Sequence, residues 1–312
     1  MRRFGLGMLI LFLAILVLVI CFCVLNYQAD LSVLELKTKY ATAESKFVDL
    51  DEMPVHYRDE GHSTDKTPIV LLHGTAANLL TWNGWTDALK AGHRVIRLDL
   101  PGYGLTGPSP AHDYSMDFYV RFLHDFLQKL DVEQVYLAGN SLGGRIAWEY
   151  ALAYPDKIKG LILIDAAGYP VSHGKPLAMQ LASIPVVKDI LLYVTPKSLV
   201  EKSLKEVYFD DRKVTEQLVE QYYDMACREG NRAAFVARAG IVYGDDFLKI
   251  NQIQTPTLIL WGESDAWIPV GNAYKFQKDL RYNRLVVYRN LGHVPQEEDP
   301  SETVKDVLEF VR

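Results

Sequence analysis

Six apolar runs constrain this chain more than any other feature. PIVLLHG from Pro68, HRVIRLDLPG from His93, VEQVYLAGNS from Val132, IKGLILIDAAG from Ile158, TPTLILWG from Thr255 and RLVVYRN from Arg284 each end in Gly, Asp, Ser or Asn. Strands buried on both faces of a parallel sheet read this way, as near-continuous apolar stretches rather than as alternation. Helical patterns separate several of them. Met116, Tyr119, Val120, Leu123, Phe126, Leu127 and Leu130 fall on one helical face behind Ser115, a good N-cap residue. Strands alternating with helices give an α/β protein, a mostly parallel sheet flanked by helices. Ahead of the first run, residues 47–50 and 54–61 read as a short hairpin.

The rhythm breaks after Ala167. Residues 168–244 carry helix signals and no convincing strand: Thr195-Pro196 and Thr215 mark starts, Gly230 and Gly244 mark stops. An all-helical insertion between two core strands is expected to cap one edge of the sheet. The core is then residues 46–167 and 245–312.

One strand-to-helix junction carries chemistry. AGNSLGG frames Ser141 as G-N-S-L-G, after the strand-like VYLA and before the helix-like RIAWEYALAYP. In a G-x-S-x-G elbow the serine sits strained on a sharp turn, and the flanking positions need residues without bulk. The hydroxyl is pushed out above the sheet at a helix N-terminus, where developing negative charge is favoured.

A serine hydroxyl needs a base, and the order on such a sheet is serine, acid, histidine. Of eight histidines only His173 and His293 follow late enough. His173 falls where the cap begins; His293, in NLGHVPQ, follows a strand and precedes the last helix, and is preferred. The acid must hold the imidazole in one tautomer and stabilise the imidazolium. Asp265, just past the strand LILWG, is the first choice, with Glu263 in the same loop and Asp165 at the end of the preceding strand as alternatives. Two oxyanion donors are expected: the backbone N–H of Leu142, and that of Thr75 in the loop His73-Gly74-Thr75, with Ala76 as the alternative. His73 itself is read as structural. Arg145 and Arg238 stay outside the site. The cap aromatics Tyr193, Tyr208, Tyr222 and Phe235 are candidates for an acyl pocket or for ordinary helix packing.

The N-terminus departs from the globular pattern. Phe4 to Leu25 is a run without a charged or strongly polar side chain, long enough as a helix to span about 33 Å, against a bilayer core of about 30 Å. It exceeds a signal-peptide core and no A-x-A-like cleavage site follows, so residues 1–26 are read as an uncleaved transmembrane signal anchor in preference to a cleaved signal. Arg2 and Arg3 precede the run, whereas the first basic residue after it is Lys37, which places the N-terminus in the cytoplasm and the rest on the periplasmic, lumenal or extracellular side. Residues 27–45 then form a juxtamembrane linker. With a net charge of −6 and no Lys/Arg-dense run, the chain offers no footprint for nucleic acid. Of three cysteines, Cys21 and Cys23 lie in the apolar run, so Cys227 has no disulfide partner in the globular part. Bulky Ile20 and Phe22 stand directly before Cys21 and Cys23, which argues against lipid modification.

HGTAANLLTW, DLPGYGLTGP, GNSLGG, WGESDAWIP and GHVPQEEDP, in this order from about Lys46 to Arg312, resemble the α/β-hydrolase superfamily. The resemblance implies a hydrolase core with a helical cap, a Ser141–Asp265–His293 triad and no metal or organic cofactor. It also makes Asp99, in DLPGYG, a structural turn residue. Dehalogenase and epoxide-hydrolase branches carry Asp at the elbow, so Ser141 points elsewhere. Two serine branches remain. The carbon–carbon hydrolases of ring-cleavage products share the G-N-S-x-G-G elbow but follow the catalytic histidine with Trp, where this chain has Val294. The esterase and monoacylglycerol-lipase type includes members with an N-terminal anchor, and makes a small or lipidic ester the expected substrate. A membrane-anchored binding protein that kept the fold without the chemistry is the alternative of another class. The sequence leaves the oligomeric state open.

Overall fold

In the computed structural model the described residues are 2–171 and 176–312, with side chains from Gly7 onward; His173 therefore lies outside the described residues. The elements run α1 (Arg2–Leu25), α2 (Val33–Tyr40), β1 (Ser45–Leu50), β2 (Met53–Gly61), β3 (Ile69–Leu72), α3 (Asn83–Leu89), β4 (Arg94–Leu98), α4 (Met116–Lys129), β5 (Val135–Asn140), α5 (Leu142–Ala153) and β6 (Ile158–Ile164). The cap follows as α6 (Leu177–Ala182), α7 (Val187–Ile190), α8 (Lys197–Val207), α9 (Glu216–Ala226) and α10 (Asn231–Ala239). The core then resumes with β7 (Thr257–Gly262), α11 (Gly271–Asp279), β8 (Asn283–Tyr288), α12 (Pro295–Glu298) and α13 (Pro300–Phe310).

The strands form one eight-stranded sheet in the order β1-β2-β4-β3-β5-β6-β7-β8. The β1–β2 hairpin is antiparallel and β2 also runs antiparallel to β4, while β4, β3, β5, β6, β7 and β8 are mutually parallel. Successive side chains of a strand point to opposite faces. In β3, Ile69 and Leu71 accordingly join Trp82, Trp85 and Val307 on one side, whereas Val70 and Leu72 join Phe126, Ile146 and Trp148 on the other. All four β3 residues are fully buried. Two cores of this kind explain why the central strands read as unbroken apolar runs. The chain leaves β3 toward β4 and returns across it to β5, so the strand order reverses at β3. Ligands of open α/β sheets bind outside the carboxyl ends of strands at such a reversal.

Ser115 caps α4, its Oγ accepting from Phe118 N at 3.2 Å, and Thr215 caps α9 in the same way through Leu218 N. Gly230 behaves differently from the stop expected of it. Helix α9 ends at Ala226, and Gly230, with φ +85°, opens α10 instead. Left-handed backbone suits a glycine on either side of a helix, so composition alone does not orient it. Helix α10 closes at Gly240, ahead of Gly244.

Residues 27–45 pack on the cap. Tyr27 bridges to Val194 and Leu31 to Arg228, Lys39 and Tyr40 both bond Asp224 at 2.7 Å, Asp30 pairs with Arg232, and Leu36 is buried against Leu105 and Met225. Helix α1 is apolar enough over Gly7–Leu25 to cross a membrane, and none of that span is buried against the protein.

Asp99 holds the turn after β4. Its Oδ1 accepts Leu79 N at 2.7 Å, and its Oδ2 accepts Leu105 N at 2.8 Å and faces His56 Nδ1 at 2.7 Å. Replacing it with alanine leaves two buried amides without acceptors, at about 1–3 kcal/mol each. Asp99→Ala is expected to lose about 2–6 kcal/mol of stability in urea titrations, with Asp99→Asn losing less because its amide oxygen still accepts one of the two.

Candidate active site

Ser141 stands between β5 and α5 at φ 53° and ψ −111°, a strained conformation for a residue with a side chain. The elbow closes so tightly that a Cβ on Gly139 would meet Gly143 O at 2.2 Å, and one on Gly143 would meet Leu72 O at 2.2 Å. Only glycine permits these two approaches. They press the N-terminus of α5 against the end of β3, which is how the serine comes to face the loop after that strand. Ser141 N donates to Ile164 O, and its carbonyl accepts Arg145 N and Ala167 N, each at 3.0 Å. The N–H of Leu142, first residue of α5, has no acceptor within its helix. The Leu142 side chain is buried in the core.

Ser141, Thr75, Ala76 and His293 line one cavity of about 160 Å³ between core and cap. Behind His293, its Nδ1 lies 2.6 Å from Asp265 Oδ2, and both side chains are buried. Asp265 Oδ1 accepts the backbone N–H groups of Trp267 at 2.7 Å and Ile268 at 2.9 Å, which fix the carboxylate for the ring. With Nδ1 as donor to Asp265, Nε2 is left as the ring's acceptor. That atom is buried and has no hydrogen-bond partner among the described residues. Catalytic hydrogen bonds are often long or misaligned in unliganded sites and tighten when substrate binds.

Of the alternative acids, Glu263 is exposed, whereas Asp165 is fully buried beside Asp265. His73 has the structural part expected of it. Its Nε2 accepts Leu100 N at 2.9 Å, so Nδ1–H donates to Gly74 O at 2.7 Å, and burial pushes its pKa down and keeps the ring neutral. Arg145 bonds Glu149 at 2.7 Å and stacks on Tyr243. Arg238 is buried near the same ring and does not line the cavity. Of the cap aromatics, Tyr222 and Phe235 line the cavity, Tyr208 packs in the cap cluster, and Tyr193 is exposed beside the end of α1. Burial raises the Cys227 thiol to about 11, which leaves it unreactive at neutral pH.

Two supporting residues escaped the sequence reading. Asn140, inside the elbow motif, donates from Nδ2 to the backbone oxygen of His293 at 2.9 Å and so ties the elbow to the histidine loop. Its signal was the N of G-N-S, read only as a small elbow residue. Glu298 accepts Gly292 N at 2.8 Å, Phe209 N at 3.0 Å and Asp210 N at 2.8 Å, and His293 N donates to Val207 O at 2.7 Å. The histidine loop is thereby stitched to the end of cap helix α8. Nothing in the charge pattern of QEEDP marks which glutamate does this.

Residues 67–300 match the family model of the alpha/beta hydrolase fold. A 2-hydroxy-6-oxononadienedioate/2-hydroxy-6-oxononatrienedioate hydrolase from Paraburkholderia phymatum is 28% identical, the match covering 88% of this chain and 98% of that protein. Among solved structures, a membrane phospholipase A described as a bacterial virulence factor is 25% identical with a TM-score of 0.73, covering 100% of this chain and 98% of its own. A putative lipase from Acinetobacter baumannii is 28% identical with a TM-score of 0.75, covering 91% and 97%.

The geometry predicts how strongly Ser141 depends on its neighbours. Asp265→Asn keeps the shape but offers the ring a donor, which favours the wrong tautomer. The rate at which a fluorophosphonate labels Ser141 is expected to fall about 10⁴-fold, with the melting temperature nearly unchanged.

Proposed function

Because the chain belongs to the α/β-hydrolase fold family, we propose that it is a serine hydrolase of carboxylic esters, with lipidic or monoacylglycerol-type esters as its substrate class. The observation that carries this reading is the cavity over Ser141. Leu191, Leu199, Val200, Leu204, Met225 and Phe235 line it, surroundings suited to an acyl chain. Arg232 is the one permanently charged side chain among the described lining residues, and Asp30 already pairs with it.

In this mechanism His293 Nε2 takes the Ser141 proton as Oγ attacks the ester carbonyl, and Asp265 stabilises the imidazolium. The oxyanion is held by the backbone N–H groups of Leu142 and Thr75, one such donor being worth roughly 3–4 kcal/mol in the transition state. Collapse expels the alcohol with the proton from His293. Water then enters, His293 removes its proton, and the acyl-enzyme is hydrolysed by the reverse order of the same transfers. No metal or organic cofactor takes part.

Helix α1 serves as a signal anchor with the N-terminus in the cytoplasm and the catalytic domain on the periplasmic, lumenal or outer side. Its unburied apolar surface supports this, as does the segment after it, which docks on the cap rather than trailing free. An enzyme held in this way meets acyl chains at the bilayer surface.

A second reading follows from the relative in Paraburkholderia phymatum, whose named substrates are dioates. Hydrolysis of a vinylogous diketone acid by the same triad is its content. Arg232 is the lining cation such a dicarboxylate would meet: it bonds Asp30 through Nη2, and its Nε and Nη1 have no hydrogen-bond partner among the described residues.

Two measurements test the proposal. Fluorophosphonate is expected to label the folded wild type and not Ser141→Ala; an unlabelled wild type would return the chain to the class of non-catalytic binding proteins. A panel of p-nitrophenyl esters of increasing chain length, set against a vinylogous diketone acid, is expected to show ester turnover that rises with chain length. Turnover of the diketone alone would establish the second reading instead.

A further inference from the structure

Asp165 has no part in the mechanism above, yet it lies against the acid that does. It follows the last residue of β6 at φ +43°, an uncommon conformation for a non-glycine residue, and its side chain is fully buried. Its Oδ1 accepts Gly262 N at 3.0 Å. Its Oδ2 receives no N–H or O–H from any described residue. What stands beside it is the Asp265 carboxyl: an oxygen of Asp165, an oxygen of Asp265 and a ring nitrogen of His293 lie within 4.8 Å of one another.

Two buried carboxyl groups within 4.8 Å of each other oppose each other's ionisation. The hydrogen bonds decide which of them holds the proton. Asp265 accepts from Trp267 N, Ile268 N and His293 Nδ1, whereas Asp165 has one acceptor oxygen satisfied and the other without a donor. A proton on Asp165 Oδ2 meets both needs at once. A cation among the three groups is a poor alternative, because shared ligation would hold the imidazole nitrogen and the carboxylate oxygen about 3 Å apart or more, and they are 2.6 Å apart.

We infer that Asp165 is a positioning residue of the triad reaction, a neutral carboxylic acid whose O–H donates to Asp265 and holds that carboxylate in line with His293. The inference rests on the triad reading given above. Burial, and after it the charge of Asp265, push the Asp165 carboxyl well above the ordinary carboxylate range. The added donor spreads the charge of Asp265, so that Asp265 orients the imidazolium without taking its proton. The chain of groups is therefore serine, histidine, carboxylate and carboxylic acid, with the last proton never transferred.

Asp165→Asn and Asp165→Ala separate this role from a structural one. The asparagine amide can accept from Gly262 and donate to Asp265, and it is neutral, as the inferred acid is. With a soluble p-nitrophenyl ester, Asp165→Asn is expected to keep kcat within about threefold and to leave the acidic limb of the kcat/KM profile in place. Asp165→Ala, which lacks the donor, is expected to lose kcat on the order of tenfold or more with KM little changed. If Asp165 were ionised in the wild type, Asp165→Asn would remove a negative charge near the imidazole and move the acidic limb to lower pH by about a unit, which would overturn the inference.

Melting temperature gives a test that needs no activity and no alanine variant. A carboxyl whose pKa is raised on folding stays protonated in the folded state and ionises in the unfolded one, so its contribution to stability is lost as pH rises above the ordinary carboxylate value. The melting temperature of Asp165→Asn, relative to wild type, is therefore expected to rise steadily from pH 5 to pH 8. A constant or falling difference would refute the neutral acid even if the ester-hydrolase reading stood. Loss of ester turnover in the wild type would leave this thermal result intact and count against that reading alone.

Discussion

Everything at the catalytic end of this protein follows from how closely helix α5 approaches strand β3. A sheet that reverses its strand order at β3 opens a crevice there, and only a chain without side chains at Gly139 and Gly143 can bring the helix N-terminus into it. The strain at Ser141 is the other side of that contact. With its carbonyl and amide fixed by Arg145, Ala167 and Ile164, the serine side chain is left at the mouth of the crevice, facing the His73 loop. The position of Ser141 is thus set by backbone packing.

His293 is positioned from the opposite direction and by more parties. Its side chain is aligned by Asp265, its backbone oxygen by Asn140 of the elbow, and its backbone N–H by Val207 of the cap. Glu298 gathers Gly292, Phe209 and Asp210 amides around one buried carboxylate, at a cost in desolvation that three hydrogen bonds offset. The cap is therefore part of the scaffold of the histidine as well as a cover over the serine. A displacement of α8 would reach His293 through main-chain bonds, without any need for a side chain to relay it.

How much of this was legible in the sequence depends on whether the signal was local. The strand runs, the helix caps at Ser115 and Thr215, and the elbow each declare themselves within ten residues, because burial on two faces, capping and tight turns act over that range. Ser141, Asp265 and His293 each stand just past a strand that such a local run marks. Asn140, Glu298 and the contact between Asp165 and Asp265 join positions far apart in sequence, where residue type says only that a polar group exists. Gly230 failed in a different way. It was read as a stop from its residue type alone, and a glycine at positive φ ends one helix and begins another with equal ease. The segment 27–45, read as a linker for its polarity, is polar because Lys39, Tyr40 and Asp30 have partners on the cap.

That last point bears on the pocket itself. Arg232 lines the cavity with its side chain almost fully buried, where an opposite charge offsets part of the cost of desolvating a guanidinium. Within the α/β core and cap, no acidic group is paired with it by an ion pair among the described residues. The partner is Asp30, from the segment between the apolar helix and the first strand. The ion pair at this lining residue is thus made with a residue outside both core and cap. Two β-bridges, the Asp224 hydrogen bonds and buried Leu36 hold that segment in place, so the same contacts that fix the end of α1 against the cap also bring Asp30 to Arg232.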